Sequence, residues 1–273
     1  MPFITITIPI IYGTHLREVL ESIFKSSFQD FEVIANDSST TEEALSILSE
    51  FDVTVIRKIT KSFEGRNLTI SAATGERVFL FDETRIMPPQ LLRKVAESKA
   101  DMITIKERDI GKGPLIFFSN IDKQNTSSEV LLMDPERNKS IIPRVYKRSV
   151  ILNALERINR NLSSETRKRI VGLDLELIYL ESFNITKNIE IINSEEIIHY
   201  GDERVFDIFR KYYGYGYSQS MLRSTSYREF AGLSGRNRTT LPIKNRLMSL
   251  PIQVLRGIPF IAGYLKGSNN NVK

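Results

Sequence analysis

Residues 65–84 read GRNLTISAATGERVFLFDET, and this stretch decides the fold. Asn67–Ala73 is rich in small residues and reads as a helix, closed by Gly75. Arg77–Phe81 is an apolar run of strand length that stops at Asp82. A helix, a glycine turn and a short buried strand ending on a carboxylate are the second half of a βαβ unit.

Toward the N-terminus the same alternation repeats. Phe3–Ile10 reads as a buried strand that Tyr12–Gly13 interrupts. Thr14 can cap the helix that follows, where Leu16, Val19, Leu20, Ile23 and Phe24 recur at 3–4 spacing. A second strand, Phe31–Ala35, runs into the short polar side chains of Asn36–Asp37–Ser38–Ser39. Glu42–Phe51 reads as a helix and Val53–Ile59 as a strand. Strands alternating with helices through residue 82 predict an α/β fold, a Rossmann-like, mainly parallel sheet flanked by helices. In such sheets ligands bind beyond the carboxyl ends of the strands, where Asp37 and Asp82 both fall.

Toward the C-terminus the pattern loosens. Gln90–Ser98 reads as a helix and Asp101–Lys106 as a strand, whereas residues 107–140 are polar and read as irregular. A strand at Ile141–Val145, a helix at Ser149–Ile158, a basic loop carrying Arg157, Arg160, Arg167, Lys168 and Arg169, and a helix at Asp174–Phe183 come next. A strand near Ile189–Ile192 precedes His199, and His15 reads as a surface residue. These assignments divide the chain into a catalytic domain over 1–206 (a donor half to about residue 100, an acceptor half from about 101) and a helical extension over 207–273.

Composition narrows the function. Of 273 residues, 41% are hydrophobic and 26% charged, so the chain can bury a core and is not of disordered type. With no cysteine, disulfides, thiolate catalysis and Cys-ligated zinc are excluded. The opening MPFITITIPI lacks the basic region and cleavage site of a signal peptide, and the expected location is cytoplasmic. Charge is uneven: Asp207–Lys273 holds eleven Lys/Arg against two Asp/Glu, net +9, which leaves −4 for residues 1–206 of a chain whose total is +5. A basic quarter on an acidic body seeks anionic partners. Leu241–Leu265 is apolar but broken by Pro251, Arg256 and Pro259, too interrupted for a membrane span and suited either to lying in a lipid interface or to packing on the domain. No RNA-binding motif accompanies the basic residues, so nucleic acid is not an expected partner.

The pieces together resemble the family 2 glycosyltransferases. Ile6–Thr7–Ile8–Pro9 with Tyr12 resembles the family's first strand and nucleotide loop. Leu20–Glu21–Ser22–Ile23, with Phe28, Asp30, Phe31 and Glu32, resembles its first helix and the exit into strand two. Asn36–Asp37–Ser38–Ser39–Thr40 resembles the acidic pair followed by Gly-Ser-Thr, one residue short and with Asn36 at the first acid. Gly65–Arg66–Asn67 through Ala73–Thr74–Gly75–Glu76 is similar to its Ala-Arg-Asn and Ala-x-Gly-Glu stretch, and Asp82–Glu83–Thr84 falls at its Asp-x-Asp. Ile142–Arg148 resembles an acceptor-side segment, and Gly172–Leu173–Asp174–Leu175–Glu176–Leu177 the Gly-Glu-Asp-x-x-Leu motif. His199–Tyr200 and Phe209–Gly216 resemble the closing part of members acting on lipid-linked acceptors.

The resemblance implies a GT-A fold and an inverting transfer of a sugar from a nucleotide-sugar donor to a glycan or lipid-linked acceptor, and the basic, partly apolar tail points to the surface of an anionic membrane. It implies donor binding by Pro9, Tyr12, Asp37, Arg66 and Asp82, and Asp174 as the base that deprotonates the acceptor, with Glu176 as its alternative. It also implies a divalent cation, Mg²⁺ or Mn²⁺, held by Asp82 and His199. Thr84 brings no charge to the second acidic position, which weakens the ion's hold, shifts it to Glu83 or His199, or shares its role with Arg66 and Arg85. Two other readings stand beside this one: a binding protein that kept the fold and lost catalysis, and a nucleotidyltransferase on a similar sheet.

Overall fold

A computed structural model describes residues 1–39, 41–127, 134–135, 142–231 and 243–270. Thr40, Ile141 and the start of the apolar segment at Leu241 lie outside the described residues, as do the side chains of Lys244 and Arg246.

The first half follows the alternation in the sequence. β1 (Ile4–Ile10), α1 (Leu16–Phe24), β2 (Phe31–Asp37), α2 (Glu42–Leu48), β3 (Val53–Arg57), α3 (Ser62–Ala72) and β4 (Arg77–Leu80) come in order, then β5 (Arg85–Ile86) and α4 (Leu91–Glu97). β6 (Met102–Ile110), α5 (Pro114–Ser127), β7 (Val145–Lys147), α6 (Arg148–Asn161), α7 (Ser164–Arg169), α8 (Asp174–Ile185) and β8 (Ile189–Tyr200) complete the body. The chain then forms α9 (Val205–Met221) and α10 (Ile243–Asn270).

The strands form one sheet in the order β3-β2-β1-β4-β7-β6-β8-β5. β3, β2, β1 and β4 are parallel, β7 runs antiparallel to both its neighbours, and β6 is parallel to β8. The alternating Ile and Thr of β1 explain why both sheet faces are covered. Ile4, Ile6, Ile8 and Ile10 enter a core with Leu16, Val19, Leu20 and Ile23 of α1 and Leu91, Leu92 and Val95 of α4. On the other face Val78 and Leu80 of β4 pack with Phe63 of α3, Ile151 and Leu155 of α6, and Leu177 and Ile178 of α8.

Several elements differ from the sequence reading, each for a local reason. α3 begins at Ser62, five residues before the expected start, so Gly65 and Arg66 lie inside the helix. Residues 107–140 are not irregular throughout: β6 runs to Ile110, and α5 opens at Pro114, where the missing proline N–H costs nothing in the first turn. Charged residues in β6 hid the strand, because Glu107 and Asp109 are satisfied by ion pairs inside the fold rather than by water. The basic loop contains α7, capped by Ser163 Oγ accepting from the Thr166 N–H. α10 is continuous through Pro251 and Pro259.

The C-terminal helices run parallel. The Arg256 guanidinium lies over the Tyr212 ring, Gly263 meets the Tyr213 carbonyl, Gly267 meets Ser220, and Arg223 donates to Ser268 Oγ. A Cβ on Gly263 would fall 2.0 Å from the Tyr213 carbonyl oxygen, so only glycine permits this approach. Arg256 also donates to Asp122 and Ser119 of α5, fixing α10 to the body.

Candidate active site

The carboxyl ends of the parallel strands set the site's floor. β1 and β2 stay in register to Ile10 and Asp37, while β1 and β4 part after Thr7 and Leu80. Odd residues of β1 bond toward β4, as Thr7 does in accepting from Phe81 N–H. The missing N–H of Pro9 therefore faces the side where β4 no longer pairs, and the strand tolerates it there. The loop beyond β1 is held by Glu83, whose carboxylate accepts from the N–H groups of Ile11, Tyr12 and Gly13 at 2.7–3.2 Å. Burial raises the Glu83 pKa against these opposing hydrogen bonds. The Tyr12 ring is left 67% exposed, free to meet a planar ligand.

At the end of β2, Asn36 donates to the carbonyls of Ile56 and Lys58, and so ties β2 to the exit of β3. α3 comes close here because residue 65 is glycine: a Cβ would lie 2.5 Å from Asn36 Oδ1. Asp37 is buried, and its Oδ1 accepts from the Ser39 N–H, while Oδ2 has no hydrogen-bond partner among the described residues. An unpartnered buried carboxylate oxygen at a strand end is a prepared acceptor for a donor group on a ligand.

Arg66, next to Gly65 on α3, is buried and forms the hub. Its Nε donates to Asp174 Oδ2 at 2.5 Å, its NH2 to Asp82 Oδ1 at 2.6 Å, and its NH1 to the Phe81 carbonyl at 3.2 Å. Asp174 is the first residue of α8, where the helix dipole favours a negative charge. The turn before it needs Gly172, at φ 72° and packed against the Tyr215 ring.

Around Asp82 the sequence reading saw only part of the arrangement. Asp82 Oδ2 accepts from Arg85 and, at 3.5 Å, from Arg144. Glu107 then receives Arg85 Nε at 3.2 Å and Arg144 Nε at 2.8 Å, so one carboxylate aligns both guanidinium groups. Burial opposes the charge on Asp82, but Arg85, Arg66 and Arg144 outweigh it and hold its pKa well below the usual carboxylate range. Glu107 is lowered in the same way, by Arg144, Arg85 and Lys123 acting against burial. Arg144 and Glu107 lie 62 and 25 residues beyond Asp82, and no local motif in the sequence marks them as its partners.

His199 is placed on β8 opposite Arg85 of β5, with Nδ1 2.5 Å from Asp109 Oδ1. Asp109 also accepts from Lys123 and Ser119. Burial and the Arg85 charge push the His199 pKa down to about 4, so the ring is neutral at pH 7. His15 stacks on Tyr200 with ring centroids 3.7 Å apart. The side chains that would hold a divalent cation do not suit one. Both Asp82 oxygens already face guanidinium groups, Thr84 offers no charge, Glu83 is turned to the loop, and His199 is engaged by Asp109. Among the described residues no three His, Asp or Glu side chains form a group that could hold a metal ion.

Residues 12–102 match the family described as glycosyl transferase family 2. No curated protein matches the chain. Among solved structures, S. aureus TarS 1–349 in complex with UDP-GlcNAc is similar at 14% identity and TM-score 0.58, over 99% of this chain and 91% of that one. The mannosyltransferase PcManGT from Pyrobaculum calidifontis, in complex with GDP-Man and Mn²⁺, is similar at 14% identity and TM-score 0.58, over 97% and 87%. The matched segment, a third of the chain, holds Tyr12, Asp37, Arg66 and Asp82 and is similar to the family 2 glycosyltransferases, and the architecture shared along nearly the whole chain is the GT-A fold.

Proposed function

We propose that the site between Tyr12, Asp37, Arg66 and Asp82 binds a nucleoside diphosphate sugar and that Asp174 deprotonates the acceptor hydroxyl for an inverting transfer. The observation that carries this reading is the Arg66 bridge, which brings a carboxylate at the donor end of the sheet and a carboxylate at a helix start to one guanidinium. In the reaction the bond between the anomeric carbon and the phosphate oxygen breaks, and its electrons leave with the nucleoside diphosphate. The acceptor oxygen forms the new bond from the opposite face, and its proton passes to Asp174. Pro9 shapes the loop, Tyr12 stacks on the base, and Asp37 accepts a hydrogen bond from it. Release of nucleoside diphosphate from UDP- and GDP-sugars by the purified protein tests the reading, and a protein that neither binds nor cleaves any donor defeats it.

The acceptor is a lipid-linked glycan presented at an anionic membrane surface. Among the described residues no helix is long and apolar enough to cross a membrane. α10 instead exposes Leu247, Leu250, Val254, Ile258, Ile261 and Leu265, each 48–63% accessible. At about 100° per residue these six fall within an arc of about 80° on one side of the helix. At the start of α9, exposed Phe206 and Phe209 precede Arg210, which donates to the Tyr12 hydroxyl at 3.5 Å. Exposed Phe206 and Phe209 thus adjoin the donor loop, and α10 carries its apolar side within a segment of net +9, as a lipid-borne substrate requires.

A further inference from the structure

We propose that Arg85 and Arg144 bind and neutralise the donor's diphosphate directly, in the place that a divalent cation would otherwise fill. The inference rests on the donor-site reading above and adds to it how the leaving group's charge is met.

A hard divalent cation needs several oxygen ligands that are free to turn toward it. Among the described residues around Asp82, none of these acidic groups is free in this sense. Asp82 faces three guanidinium groups, Glu107 is shared by Arg85 and Arg144, Asp174 is held by Arg66, and Asp109 is held by Lys123 and His199. Glu83, the remaining acid of the motif, spends its oxygens on three backbone N–H groups. A cation placed at Asp82 would lie against Arg66, Arg85 and Arg144, whose like charge repels it.

The same arrangement suits an anion. A guanidinium presents paired N–H donors that match phosphate oxygens. Glu107 grips Arg85 and Arg144 from one side through their Nε atoms and leaves Asp82 as their shared, partly accessible partner on the other. Asp82 is 21% exposed, against 4% for Arg66. An arriving diphosphate takes over the donors that Asp82 receives from Arg85 and Arg144, while Arg66 keeps its hold on Asp82 and Asp174. Negative charge grows on the diphosphate as the anomeric C–O bond breaks, and fixed guanidinium groups meet it without reorganisation. Thr84 fits this scheme, because a second carboxylate there would repel the diphosphate that a bridging cation would otherwise shield.

Equilibrium binding of UDP and GDP to the full chain, in EDTA and in millimolar Mn²⁺, tests the proposal. The dissociation constant should change less than about threefold between the two conditions, and Arg144→Gln should weaken UDP at least about tenfold while leaving uridine unchanged. Arg85→Lys keeps the charge but loses the paired donors, and should show an intermediate loss, with thermal melts confirming that both variants fold. Binding that strengthens tenfold or more with Mn²⁺ overturns the arginine site and leaves the donor reading intact. Failure of both nucleotides to bind in either condition overturns the donor reading, and this proposal with it.

Discussion

One guanidinium joins two carboxylates that are far apart in sequence: Arg66 holds Asp174, 108 residues away, through Nε at 2.5 Å and Asp82 through NH2 at 2.6 Å. The end of β4 and the start of α8 are thereby fixed to one another through α3. Removing any of the three leaves a charge in the interior, which typically costs about 3–5 kcal/mol. The site's geometry and the stability of the fold are therefore coupled.

That coupling shapes the test of the base. Asp174→Asn keeps an acceptor for Arg66 but loses the proton acceptor, so turnover should fall about a hundredfold or more. The affinity for UDP or GDP should change little, because the proposed donor site is built from β1, β2, α3 and the residues after β4. The melting temperature should drop as well. If turnover in steady-state assays stays near that of the unaltered protein, the base is Glu176 or another group.

How far the sequence alone carried this picture differs between its two halves. β1 to β4 are legible because the strands are short runs rich in apolar and β-branched residues and α1 shows 3–4 spacing, whereas α3, marked only by small residues and a glycine turn, starts five residues before its expected position. Arg66 was legible through its motif, but its role as a bridge was not. The arginine cluster was opaque for a physical reason: Arg85, Glu107 and Arg144 meet only when β5, β6 and β7 assemble, and buried ion pairs read in sequence as solvated charge. β6 was curtailed for the same reason. Pro251, Arg256 and Pro259 make Leu241–Leu265 too interrupted for a membrane span, yet α10 continues through both prolines, which normally kink or end a helix.

Asp37 should trade stability against binding. Its Oδ2 is buried with no partner among the described residues, a condition that costs free energy in the free protein. Asp37→Asn removes the charge at nearly constant size, so the melting temperature should hold or rise. A hydrogen bond to a charged group contributes about 1.5–3 kcal/mol, so UDP or GDP should bind roughly ten- to a hundredfold more weakly. Unchanged binding by isothermal titration would remove Asp37 from the donor site.

Acid should destabilise the fold in two steps. The His199 pKa, about 4 in the folded protein, lies below the ordinary value of 6.5, so the unfolded chain takes up a proton more readily. The stability from a neutral His199 is complete above about pH 6.5 and is lost as pH falls toward 4. Asp82, Glu107 and Asp109 are shifted downward too, so their contribution is present above the usual carboxylate range and is lost on further acidification. Arg85 and Lys123 face His199 and oppose its protonation, while Asp109 favours it. His199→Asn keeps an N–H for Asp109 without titrating, so its melting temperature should fall less than that of the unaltered protein between pH 7 and pH 5. Parallel melting curves over that interval would contradict the assignment.

The apolar side of α10 supplies the last prediction, that this surface rather than charge alone holds the protein on membranes. Leu250, Ile258 and Ile261 are 48–60% exposed and stand on the side of α10 away from Arg256, which anchors the helix to α5. Replacing the three by Gln should leave nucleotide affinity unchanged and lower the melting temperature only slightly, since about half of each side chain is already exposed in the fold. Each half-exposed side chain that enters a lipid interface adds about 1 kcal/mol, so losing three should weaken co-sedimentation with anionic vesicles by about a hundredfold. Basic residues near the surface contribute up to about 1 kcal/mol each, and salt screens that part within a Debye length. The unaltered protein should therefore lose part of its vesicle binding in high salt and retain the rest, whereas the triple variant should lose nearly all. If the unaltered protein ignores anionic vesicles at low salt, the membrane reading fails. A solution mass of twice the chain, reduced to one by the triple variant, would then assign the stripe to a second copy.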